Sequence, residues 1–179
     1  MCTFVTAIVP AETALPQLRQ LCQKHGFDVN PMNNASLRTM MPDGYQFLPV
    51  GGSCNCDTPL GYALSATSPA HNLGDEISKL KRKGWSLAKI ERWKRDKERS
   101  PQQKKDQKET ELRQWEHWIR EVLDTKLAKS ITIVLHFYGA GIDAERIPIK
   151  SIEKVRMDAL GVHKLAHLEP DILYQFSAT

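Results

Sequence analysis

Nowhere in the 179 residues is there a run of about 18 apolar side chains, which argues against a helical membrane span. The apolar opening MCTFVTAIVP has no basic stretch before it and no small-residue cleavage site after it, so a secretory leader is not expected. Cysteine is scarce. Cys2, Cys22, Cys54 and Cys56 do not have the dense spacing of a disulfide scaffold, and a chain of this length does not need one. They read as thiols in a reducing compartment, which makes the cytoplasm the expected location. A phosphate-binding loop, a Gly-x-Ser-x-Gly elbow, a His-Glu-x-x-His helix and internal repeats are all missing, so none of the chemistries those motifs announce is indicated.

What is present is ordinary in bulk. Hydrophobic residues make up 41% and charged residues 26%, so the chain can bury a core within one domain, with or without an appendage. The formal net charge is +4, a mild hint of acidic partners. Its distribution says more. Between Ser78 and Lys108 stand 13 Lys or Arg against 4 Asp or Glu, a local +9 that leaves −5 for everything else.

Periodicity divides the chain. TFVTAIV (residues 3–9) is short, apolar and β-branched, a buried strand ended by Pro10. A helix is expected over 12–24, with Leu15, Leu18, Leu21 and Cys22 at helical spacing and Gly26 as its stop. Residues 28–34 look turn-like, residues 45–50 form a short strand, and residues 58–72 show no strong period. Gly84 breaks one short helix, Ser86 caps a second, and Ser100-Pro101 marks the start of a third that runs to about Lys129. ITIVLHFY (131–138) is the clearest strand. Residues 146–149 suggest an edge strand, a helix is expected after Ser151 through Ile152, Val155 and Ala159, and 172–176 is a last strand. The expected fold class is therefore α+β: a small mixed sheet with packed helices, one domain over 1–179, and 75–129 as an inserted basic helical arm.

The most suggestive chemistry is Cys54-x-Cys56 in a loop that opens with Gly51-Gly52. In extended backbone the side-chain period is two, so both thiols face one way and suit a soft or borderline metal. The one-residue gap departs from the usual spacing of paired zinc cysteines, and such a site needs more ligands. Cys2 supplies a third if the first strand lies beside the 45–50 strand, and His71, Cys22, His25 or Asp57 a fourth. The alternative is two cysteines in a glycine-rich loop with no special role. Removal of Met1 would leave Cys2 at the N-terminus, the arrangement of N-terminal nucleophiles, yet no further motif accompanies it. His163 and His167 have metal-ligand spacing without the Glu of a metalloprotease. His136 reads as a satisfied sheet histidine and His117 as a helix flank. Gly139-x-Gly141-x-x-Ala144 follows a strand but meets Ile147-Pro148-Ile149 where a dinucleotide fingerprint needs a helix.

The second candidate is the basic arm, represented by Lys81, Arg82, Lys83, Lys89, Arg92 and Arg95. Cations on helices neutralise phosphates, and interleaved Trp85 and Trp93 can stack on bases. Against this, a charge run is usually a solvated face, and the tryptophans are expected in the core. The leading expectation is a cysteine-centred metal or redox site, with zinc or another transition metal held by Cys54, Cys56, Cys2 and His71. The alternative is a module that binds nucleic acid or an acidic protein through the arm.

Overall fold

The computed structural model describes residues 2–49, 55, 58–62 and 73–178. The β-branched opening forms β1 (Cys2–Pro10), flanked by β3 (Gly44–Leu48) on one side and β4 (Ser130–Tyr138) on the other, both antiparallel to it. β6 (Ile172–Ser177) adds antiparallel to β4, and β5 (Ser151–Arg156) adds parallel to β6. With β2 (Asn30–Pro31) on the far edge, the order is β2-β3-β1-β4-β6-β5. The sheet is mixed and the class α+β, as expected. It draws strands from both sides of the helical segment.

The two faces of the sheet are covered differently. Val5, Ala7 and Val9 of β1 and Ile131, Ile133 and Leu135 of β4 turn toward helices α1 (Leu15–Lys24) and α5 (Leu87–Asp124). There they meet Leu18 and Cys22 from α1 and the stripe Leu112, Trp115, Ile119 and Val122 from α5, with Trp118 packed among Phe27, Phe47 and Trp115. This is the main core, and its α5 stripe matches the helical period of the sequence. The opposite face carries Ile8, Val134, Tyr138 and Leu173, roofed by Leu37 of α2 (Ala35–Met40) and by Ile147. Short helices α3 (Pro59–Tyr62) and α6 (Val162–Ala166) complete the helical cover, and α4 (Leu73–Arg82) precedes α5.

Several expectations are corrected. α5 is one helix of 38 residues, about 57 Å long, that runs through Pro101. Proline there removes one donor to the carbonyl of Lys97, and the hydrogen-bond ladders on both sides outlast that loss. α1 starts at Leu15, so Pro16 falls in its first turn, where no N–H is needed. The segment read as a turn before Ala35 contains β2 and the cap of α2: the Asn34 side chain accepts from the N–H groups of Ser36 and Leu37. Residues 151–156 are strand β5, not helix. Residues 146–149 form no strand, because the Ile149 N–H closes back on the Ile147 carbonyl at 2.9 Å, making a three-residue turn around Pro148. Among the described residues, no helix is long and apolar enough to cross a membrane.

Candidate functional site

Three regions bear on chemistry, and the first is the start of β1. β3 pairs with Ala7–Pro10, and beside the earlier residues of β1 on that side the described residue is Asn55. Its N–H donates to the Thr3 carbonyl at 2.7 Å, and its Oδ1 accepts from the Val5 N–H at 2.9 Å. Thr58 secures Asn55 in turn, its N–H and hydroxyl both donating to the Asn55 carbonyl at 3.0 and 2.9 Å. Asn55 is 1% exposed, and its Nδ2 finds no acceptor among the described residues. Cys2 begins β1 opposite Tyr138. Cys54, Cys56, Asp57 and His71 lie outside the described residues.

Two suggested fourth ligands go elsewhere. Cys22 is fully buried in the helix-side core, where desolvation pushes its thiol up to about 12, a thiol rather than a ready thiolate. His25 Nε2 pairs with Glu121 at 2.7 Å, and Lys24 Nζ reaches the same carboxylate at 2.5 Å, holding Glu121 below the usual carboxylate range. Among the described residues, no group of three or more His, Cys, Asp and Glu is arranged to hold a metal. The His163 and His167 rings lie 4.4 Å apart, but His167 Nδ1 is engaged by the His163 carbonyl.

The second region is the corner between α4 and α5. Gly84 makes the corner with φ at 74°, a conformation that suits glycine, and the Ser86 hydroxyl caps α5 by accepting from the Lys89 N–H. Lys81, Arg82, Lys83, Lys89 and Arg92 are all exposed, and none is ion-paired with a described carboxylate. Lys94, by contrast, pairs with Glu91 at 3.0 Å. Arg95 lies within α5, with its side chain outside the described residues. Trp85 is half-buried and carries Lys89 Nζ 4.1 Å over its ring, so one of its faces is already covered.

The third region escaped the sequence reading. His136, on the face away from the main core, is 7% exposed. Its Nδ1 meets Asp171 Oδ1 at 2.6 Å, and Lys150 stands 3.6 Å from the other oxygen of that carboxylate. Its Nε2 has no hydrogen-bond partner among the described residues and lies 3.8 Å from Glu145 Oε1. Glu145 Oε2 accepts from two successive N–H groups, those of Gly139 and Ala140, each at 2.7 Å. The Ala140 N–H is the main cause that holds this carboxyl below its usual range; desolvation opposes it, and the Gly139 N–H and His136 assist. The glycine-rich segment read as a failed dinucleotide fingerprint is therefore the collar of a carboxylate. Tyr138, edge-on to His136 at 4.6 Å, has its phenol pushed up to about 12 by burial; the nearby Thr6 hydroxyl pulls the other way, although its own hydrogen bond goes to Met32 Sδ. The sequence did hold one signal: Pro170-Asp171 immediately before β6, with Asp171 at φ 65°, a left-handed conformation that aspartate tolerates at turns. No family model, curated protein or solved structure matches this chain.

Proposed function

We propose that this chain binds a transition metal, zinc foremost, through the thiolates of Cys2, Cys54 and Cys56, with His71 completing a tetrahedral set. One observation carries the reading: the two hydrogen bonds that dock Asn55 onto β1 at Thr3 and Val5. Covalent geometry puts the Cα atoms of Cys54 and Cys56 each about 3.8 Å from that of Asn55, and Cys2 the same distance from Thr3. Adjacent extended chains lie about 4.8 Å apart. In this reading, three thiols tied to the chain this close together gather around one ion whose bonds to sulfur are about 2.3 Å long. Asn55 Nδ2, a buried donor without an acceptor among the described residues, is suited to donate to a thiolate beside it.

The test is elemental analysis of protein purified under reducing conditions, with reactive thiols counted in the same sample. One metal per chain, with Cys54 and Cys56 protected from alkylation and the metal lost in a C54S/C56S variant, is the expected result. A metal-free protein whose three thiols all alkylate freely, and whose fold is untouched by the double substitution, would sink the reading.

The exposed cations at the α4–α5 corner favour a second reading, a surface for nucleic acid or an acidic protein. Affinity for a duplex or a single strand should fall steeply as salt rises, with a slope that shrinks by about one for each phosphate-contacting cation removed among Lys81, Arg82, Lys83, Lys89 and Arg92. Binding that is absent, or indifferent to salt, removes this reading. Replacing those five exposed cations with glutamine separates the two, since the thiol site should survive it while α5 keeps its core stripe.

A further inference from the structure

The Glu145 carboxylate sits in what is, atom by atom, a receptor for a carboxylate. Two consecutive backbone N–H groups converge on one of its oxygens at 2.7 Å. Beside the other oxygen stands His136 Nε2, more than nine-tenths buried and without a hydrogen bond among the described residues. The imidazole cannot turn away, because Asp171 holds its Nδ1 at 2.6 Å. Successive N–H groups of this kind form an anion-binding nest, and a buried imidazole next to it adds a third donor once it carries a proton on Nε2.

We propose that this nest is a binding site for a small carboxylate-bearing ligand, and that Glu145 is a tethered, displaceable occupant of it. A free carboxylate would reproduce the present contacts, one oxygen on the Gly139 and Ala140 N–H groups and the other facing His136. Displacement requires no loop movement. The backbone of the 139–149 segment is fastened independently: buried Asn34 donates its Nδ2 to the carbonyls of Ile142 and Glu145 at 2.9 and 2.8 Å, and the Ile147 N–H donates to Ser36 Oγ at 3.0 Å. Only the Glu145 side chain, which is 22% exposed, has to rotate outward. The tether makes Glu145 a competitor at high effective concentration, so an outside ligand binds weakly until the competitor is removed or outmatched by further contacts.

The experiment titrates acetate into 15N-labelled full-length protein and follows the amides of Gly139 and Ala140 and the ring nitrogens of His136, with chloride at equal ionic strength as the control. In Glu145→Ala, acetate should shift all three with a Kd roughly tenfold or more below that of the wild type, and His136→Asn in the same background should weaken it again. Should Glu145→Ala fail to fold, Glu145→Gln retains a neutral occupant in the nest, and acetate should move the same signals at lower concentration than in the wild type. A folded variant of either kind whose Gly139 and Ala140 amides respond to acetate no more than to chloride overturns the proposal.

Discussion

The two faces of the sheet come from the same strands and alternate residue by residue, yet they were built by different rules. On the helix side, Val5, Ala7, Ile133 and Leu135 close against Trp115, Trp118 and Val122. On the other side, β1 and β4 present Thr6, Thr132, His136 and Tyr138 among Ile8 and Val134, under a roof made of a six-residue helix and an irregular loop. The first face buries area, which stabilises in proportion to what is removed from water. The second buries polar atoms, and three of them, Thr132 Oγ1, His136 Nε2 and Tyr138 Oη, have no hydrogen-bond partner among the described residues. Such atoms cost stability. Among the described residues the helix-side core holds one such atom, Trp118 Nε1, so the cost is heavier on the second face, and it is there that the carboxylate nest lies.

The comparison breaks most readily at Trp118. Fully buried and in ring contact with Phe27, Phe47 and Trp115, it should cost about 3–5 kcal/mol on truncation to alanine, read from urea unfolding. A loss below about 1 kcal/mol would mean that the α5 stripe is not what holds the helices to the sheet.

Alkaline pH tests both faces together. Cys22 on the helix side and Tyr138 on the other each titrate near 12, raised from 9.0 and 10.0 by burial. A group whose folded-state pKa is raised keeps its proton better when folded, so its contribution is complete below the unfolded value and fades as pH rises toward the folded one. Stability should therefore fall from about pH 9, at about 1.4 kcal/mol per pH unit for each group once it is within its window. Cys22→Ala should remove the part that begins near pH 9 and Tyr138→Phe the part that begins near pH 10. Unfolding curves whose midpoints do not depend on pH across that range would show that neither group is buried as described.

How much of this was legible in the sequence follows from the same contrast. β1 and β4 announce themselves because nearly all their residues are buried on one face or the other, giving short runs rich in β-branched and aromatic side chains. β5 did not: of its six residues only Val155 is buried, Ile152 is 46% exposed, and Ile152, Val155 and Ala159 imitate a helical stripe. Its strand character comes from pairing with β6, which no local pattern encodes. α2 was missed because only Leu37 is buried along it, and its cap Asn34 looks like any turn asparagine. The Cys54-x-Cys56 motif could be read as a motif, but the docking of Asn55 onto Thr3 and Val5 could not, because it joins backbone about 50 residues away with no local pattern to announce it. The His136 cluster left only the Pro170-Asp171 turn as a signal, since Asp171 is 35 residues away and reaches the imidazole only through the β4–β6 pairing.

The finest test of the contrast is Thr132→Val. The substitution is close to isosteric, and it deletes a hydroxyl that is fully buried, unsatisfied among the described residues, and opposite Ile8. Removing a buried polar atom that has no partner relieves a desolvation cost without opening a cavity, so the variant should be more stable by about 1 kcal/mol in urea unfolding, the reverse sign of the Trp118 change. Because β1 and β4 are both long and central, the gain should appear as a higher midpoint with an unchanged denaturant slope. A loss of similar size would mean that the Thr132 hydroxyl has an unseen partner such as an ordered water. The loop-covered face would then be better satisfied than its described contacts imply.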